Sequence, residues 1–322
     1  MFVAVLLFLL GLVLLIKGGD WFVDGAVGIA HRFKLPDILI GATVVSIGTT
    51  LPEVLVSATS AVGGHGEIAY GNAIGSIICN SALIAAITIA VRPSKVDKTT
   101  FRTPVIFFFI AAVFYSAIAY FGGEFSRLSG LVLLLIFLIY MGYTVWQAKK
   151  TPWAELLPEK EEKKEPKFAR NFGLLLVGAV LIAVGAKLLV DNGTKIATAL
   201  GVPESVIALT FVALGTSLPE LITAITSLRK GHGSLSLGNI IGANLFNLVF
   251  VSGISVVLSP FSIPQSKMIA GINASLLVDI PVMFMVMGIL TLPALVYGKL
   301  SRKQGIILLF LYAVFCAVQF VL

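Results

Sequence analysis

Apolar residues arrive in ten runs, each long enough to cross a bilayer, for which about 20 residues suffice. They cover residues 3–30, 37–62, 68–91, 103–121, 129–147, 171–200, 204–228, 235–258, 280–297 and 304–322. Polar and charged residues collect in the short stretches between them. None of the runs shows the two-residue alternation of a barrel strand, so each predicts a membrane-spanning helix. The first run lacks the basic flank and small-residue cleavage site of a secretory signal. It also aligns with the sixth run, so it reads as a helix of the mature chain.

The polar interruptions inside two of these runs repeat. Residues 48–53 read Gly-Thr-Thr-Leu-Pro-Glu and residues 215–220 read Gly-Thr-Ser-Leu-Pro-Glu. The offset of 167 holds without a gap from Asp24/Asp191 to Pro93/Pro260, and 19 of the 45 pairs from Pro36 to Asn80 are identical. This is an internal duplication. It divides the chain into a first repeat (1–148), a linker (149–169) and a second repeat (170–322). Five helices per repeat is an odd number, so consecutive copies must run in opposite directions. The fold class is therefore an all-α integral membrane protein, with ten transmembrane helices as two inverted five-helix repeats, the architecture of many secondary transporters.

Composition agrees. Hydrophobic residues make up 58% of the 322 and charged residues 12%, against about 25% charged in a soluble domain. The net charge of +7 does not imply nucleic acid, because 18 of the 23 basic residues fall in connections on one side and only three on the other. The positive-inside rule makes the rich side cytoplasmic. Both termini are then outside, and the site of action is the inner (cytoplasmic) membrane. Lys17 and Lys187 lie within helices, where they snorkel or pair with Asp20 and Asp191. The linker, rich in Lys, Glu and Pro, is too short for a folded regulatory domain. Cys79 and Cys316, both in apolar runs, form neither a disulfide framework nor a zinc pattern. No nucleophile–base constellation or nucleotide-binding loop is present, so the chain is not read as an enzyme, and no cofactor is expected.

Each interruption places a proline and a glutamate at lipid depth. Pro52 and Pro219 lack an amide hydrogen and clash with the carbonyls of Gly48 and Gly215, which predicts a helix break at each. Irregular backbone at that depth survives only against protein or a wet cavity. Thr49 and Glu53 share a helix face, as do Thr216 and Glu220. In the following runs Ser76 and Asn80 are four apart, with Ala243 and Asn247 at the matching places. Carboxylates, amide carbonyls, hydroxyls and freed backbone carbonyls are all hard oxygen donors. Calcium takes 6–8 such oxygens in flexible geometry, sodium accepts similar donors, and magnesium fits less well because it dehydrates reluctantly. A lone intramembrane Glu can be a protonated structural residue. Two, each in the same Thr and Pro context, point to function. Gly71, Gly75, Gly238 and Gly242 have the spacing of close helix packing. Asn72 and Asn239 read as helix-entry or packing residues, His65 and His232 as solvated turn residues, and Asp279 as a structural residue at the mouth of the ninth helix.

These motifs resemble the sodium/calcium exchanger branch of the calcium/cation antiporters, over the whole chain and most closely its compact prokaryotic members. The resemblance implies that Glu53 and Glu220 are the central acidic ligands of both ions. It implies side-chain or backbone oxygens from Thr49, Thr50, Thr216, Ser217, Ser76 and Asn80, and backbone carbonyls of Ser46 and Ala213 at outlying sodium sites. Position 247 is Asn where relatives carry Asp, and position 243 is Ala where Ser is common, so the second half lacks one carboxylate and one hydroxyl. This weakens the case for potassium co-transport. A cation/proton antiporter on the same scaffold is the nearest rival, and a passive cation channel a remoter one. The partners expected are calcium, sodium and the lipid bilayer.

Overall fold

A computed structural model describes residues 2–33, 35–150, 168–199, 215–265 and 268–321. Among the described residues, ten helices follow one another: α1 Phe2–Arg32, α2 Asp37–Val62, α3 Gly66–Val91, α4 Lys98–Phe121, α5 Arg127–Lys150, α6 Phe168–Ala199, α7 Leu218–Arg229, α8 Gly233–Leu258, α9 Ser275–Tyr297 and α10 Arg302–Val321. Nine are long and apolar enough to cross a membrane among the described residues. The tenth, α7, is described only from its proline-bearing start, the earlier part of the seventh run lying outside the described residues. The polypeptide is a multi-pass membrane protein with two inverted five-helix repeats.

Two short β pairs decorate this all-helical plan: Glu124–Phe125 with Phe261–Ser262, and Met268–Ile269 with Ile272–Asn273. They lie in connections, where backbone groups released from helices find each other. α9 begins at Ser275 rather than at residue 280, with a π-turn over Ser275–Asp279 leading into it, and Asp279 accepts a hydrogen bond from the Gln319 amide (2.7 Å).

α3 and α8 sit at the centre, with Ile77, Ile78, Ile240, Leu245 and Phe246 fully buried. α1 and α6 lie outside them as an antiparallel pair along their whole length. A Cβ on Gly11 would stand 2.9 Å from the Gly185 carbonyl oxygen, and one on Gly18 3.0 Å from that of Gly178. The 167-residue offset carries Gly11 onto Gly178 and Gly18 onto Gly185, so the two contacts are images of one another. α2 and α8 approach as closely: a Cβ on Gly238 would lie 2.3 Å from the Ile38 oxygen, and one on Gly242 2.7 Å from Ala42 Cα. The packing role read for these two glycines holds.

The connections sort onto two faces. On one, His232 Nδ1 meets Asp37 Oδ2 at 2.7 Å, Arg92 donates to the Leu228 carbonyl at 3.2 Å, and the Val96 amide donates to the Gly298 carbonyl at 2.9 Å. This gathers connections 1–2, 3–4, 7–8 and 9–10, the basic set of the sequence reading. On the other, Gly66 packs on Phe261, and Glu67 accepts from the Gln265 amide at 3.0 Å. His232 is thus paired and largely buried rather than solvated. Lys187 pairs with Asp191 at 3.0 Å. Asp20 instead faces Lys230, whose ammonium donates to the Asp24 carboxylate (2.7 Å) and the Asp20 carbonyl (2.9 Å).

Candidate cation-binding site

α2 is not severed at Pro52. Helical geometry runs through the proline from Ser46 to Val62, and a separate π-turn lies further upstream over Gly41–Val45. In the second repeat the described helix starts at Leu218, with Pro219 in its first turn after a turn at Gly215–Ser217. Proline is tolerated there because first-turn amides have no partner inside the helix. The two halves therefore present their glutamates on different backbones. Ala213 lies outside the described residues.

α3 and α8 carry a distortion that sequence reasoning missed. Their π-turns run over Asn80–Ala85 and Asn247–Val251, so each begins at the asparagine of the motif. The local sequences are ordinary helix formers, and only the matching positions of the two Asn hint that the backbone changes there. π-turns recur at functional sites because they re-aim a side chain and loosen a carbonyl.

Glu53, Glu220, Asn80 and Asn247 are all 0% exposed. Neither oxygen of either carboxylate, and neither polar atom of either amide, has a hydrogen-bond partner among the described residues. The Thr50 and Ser217 hydroxyls, also buried, have no partner either. Ser76 is buried on α3 one turn before Asn80. Burying so many polar groups unpaired costs roughly 1–3 kcal/mol for each neutral group and more for each carboxylate. The donor set is oxygen-rich and anionic, which suits a hard cation.

The surrounding contacts repeat across the two halves. Thr49 donates to the Asn239 side-chain oxygen at 3.2 Å, and Thr216 to that of Asn72 at 3.4 Å. Asn72 donates in turn to the Glu53 carbonyl (3.2 Å) and to Ser57 (2.8 Å). At the place matching Ser57 the second repeat has Ala224, and the Asn239 amide nitrogen has no partner among the described residues. Both asparagines thus brace the Thr–Glu turns, beyond the packing role read from sequence. The Ser46 hydroxyl lies within hydrogen-bond distance of the carbonyls of Gly41 (2.7 Å) and Asn239 (3.0 Å), which ties α2 to α8. A narrow cleft between the proline-bearing segments and the α1–α6 pair is lined by Phe22, Thr49, Pro52, Ile182, Ala183 and Pro219.

A sodium/calcium exchanger family model matches residues 3–146 and 170–321, nearly the whole chain and in two parts. The chain belongs to the sodium/calcium exchanger family. Members of this family are membrane transporters rather than enzymes. An uncharacterized membrane protein of Methanocaldococcus jannaschii is 37% identical, over 95% of this chain and 95% of its own. The sodium/calcium exchanger MaX1 of Methanosarcina acetivorans is 30% identical over 98% of both chains. A solved structure of the sodium-calcium exchanger NCX_Mj superposes with a TM-score of 0.83 at 35% identity, over 98% of each chain.

Proposed function

We propose that the chain exchanges sodium for calcium by alternating access through a midplane site built on Glu53 and Glu220. The observation that carries this reading is the pair of fully buried carboxylates, related by the repeat and without protein partners among the described residues. Thr49, Thr50, Thr216, Ser217, Ser76, Asn80 and Asn247 supply neutral oxygens around them, and the Ser46 and Ala213 carbonyls serve outlying sodium sites. The names of relatives, which include exchangers of sodium for calcium, support the ion pair. The units are the repeats 1–148 and 170–322, joined by the 149–169 linker. The basic face is cytoplasmic, and both termini are outside.

Charge counting sets the mechanism. Two ionised glutamates balance one calcium or two sodiums, and a third sodium leaves the loaded site at +1. Both ions need the same carboxylates, so they cannot be held together, and opposed fluxes become coupled. The cleft beside Pro52 and Pro219 supports access along the α1–α6 face, with that pair moving against the core.

Calcium-45 uptake into proteoliposomes loaded with sodium, against vesicles loaded with choline at fixed pH, tests the exchange. Uptake that requires the outward sodium gradient is expected. Uptake that ignores sodium and follows an imposed pH gradient assigns the protein to proton-coupled antiport.

Asn247 stays neutral at any pH. Asn247→Asp adds a third carboxylate, and the ratio of calcium to sodium apparent affinities is expected to shift about tenfold, roughly 1.4 kcal/mol. The pH dependence of flux should also change, because residue 247 becomes titratable. An unchanged ratio and pH profile would place residue 247 out of contact with the ions.

A further inference from the structure

Among the buried hydroxyls outside the site that have no partner among the described residues, three lie on α7 and the start of α8. Thr223 and Ser227 on α7 are 0% exposed and Ser236 on α8 is 2% exposed. None has a hydrogen-bond partner among the described residues. Helical Ser and Thr ordinarily donate to a carbonyl three or four residues back, as Thr291 does to Met287 at 2.6 Å. That three in one place do not is unusual for native protein.

Their places are ordered. Glu220, Thr223 and Ser227 are three and four residues apart, one side of α7 over about 10 Å at 1.5 Å per residue. The distance from the midplane of the hydrocarbon to its edge is about 15 Å. Ser236, in the first turn of α8, lines a narrow cleft on the basic face, together with Thr88, Arg92, Ser94 and Leu228. Hydroxyls therefore run from Glu220 to the surface between α7 and α8.

The first repeat does not contain this file. Its matching residues are Val56, Ser60 and Ala69. The Ser57 hydroxyl on that side is engaged by Asn72 at 2.8 Å. Duplication alone thus does not account for the three hydroxyls, and packing alone would be better served by the Val and Ala of the other half.

We infer that Thr223, Ser227 and Ser236 line the route by which a partly dehydrated cation travels between Glu220 and the basic face, each hydroxyl lending an oxygen in turn. This rests on the exchange reading above and adds to it a route that serves one face only. Hydroxyl oxygens suit calcium and sodium alike and bind neither tightly alone, which is what transit needs. Arg92, donating to Leu228 at the rim, keeps a positive charge across the mouth.

The test compares the Thr223→Val, Ser227→Ala, Ser236→Ala triple variant with the native protein. Two readouts are taken, calcium flux in proteoliposomes and equilibrium calcium-45 binding in detergent. Expected are a fall in flux of tenfold or more, binding within twofold of native, and recovery of flux when Thr223→Ser replaces Thr223→Val. Ser60→Ala, the counterpart in the other half, should change flux less than twofold. Flux within twofold of native in the triple variant would overturn the route. So would binding that falls in step with flux, since the hydroxyls would then act on the site or the fold. Native flux and binding test the exchange reading separately, because the route is read only from the ratio of variant to native in whichever gradient drives calcium.

Discussion

Glu53→Gln and Glu220→Gln are each expected to reduce sodium-dependent calcium uptake by at least 100-fold while leaving a folded protein. Each removes half of the charge that faces the ion. Breaking one side of a buried charge pairing costs about 3–5 kcal/mol, and each 1.4 kcal/mol is tenfold in affinity. The shape of the side chain is retained. Neither carboxylate has a protein partner among the described residues, so the substitution also removes one of two buried, uncompensated carboxylates. Thermal unfolding in detergent without calcium should therefore occur at the native temperature or above it. Uptake near the native rate in either variant would sink the assignment of these residues as ligands. Loss of uptake together with a lowered unfolding temperature would reassign them to the fold.

The second large effect concerns stability. Gly238→Val is expected to abolish most folded protein. Its Cβ would meet the Ile38 backbone oxygen at 2.3 Å, and a main-chain atom in a central helix crossing cannot rotate away. Overpacking ordinarily costs about 1–3 kcal/mol where side chains give way, and here the whole of α2 would have to retreat. Separation of α2 from α8 also pulls Ser46 from the Asn239 carbonyl, which disturbs the turn that bears Thr49. Gly142→Ala on α5, with open space at the same position, serves as the control. It should be neutral or gain up to about 1 kcal/mol from helix propensity. Monodisperse yield and unfolding temperature separate the two variants. Equal behaviour would mean that the α2–α8 contact is looser than described.

Much of this was legible in the residues because lipid punishes polarity. Ten apolar runs, a repeat offset of 167 and two glutamates at lipid depth stand out against an apolar background, and inversion follows from an odd helix count. The 18-to-3 bias of basic residues sorted the connections correctly onto two faces, which His232–Asp37 and Arg92–Leu228 now join. The structure also brings Glu53, Glu220, Asn80 and Asn247 into one buried region.

What sequence reasoning missed is of two kinds. The π-turns at Asn80 and Asn247 change the backbone without changing composition. The break expected at Pro52 is absent, because the α-helix from Ser46 to Val62 runs through the proline. The other misses are long-range partners. Lys230 reaches Asp20 and Asp24 across about 200 positions of chain, and no local pattern announces which cation an aspartate will meet. In the other half Gly63 stands where Lys230 does, and Asp191 turns to Lys187 within its own helix.

The glycine-packed pair of α1 and α6 has a consequence for how the protein meets its bilayer. At 31 and 32 residues these rods are about 46 and 48 Å long, while hydrocarbon is about 30 Å thick. The surplus must be taken up by tilt or must stand in the headgroup layers. Overlong rods locked to each other can shift axially by a helical turn without drawing their ends into oil. Membrane thickness then becomes a setting of the machine, with a thicker bilayer holding the pair more upright and a thinner one favouring its inclination.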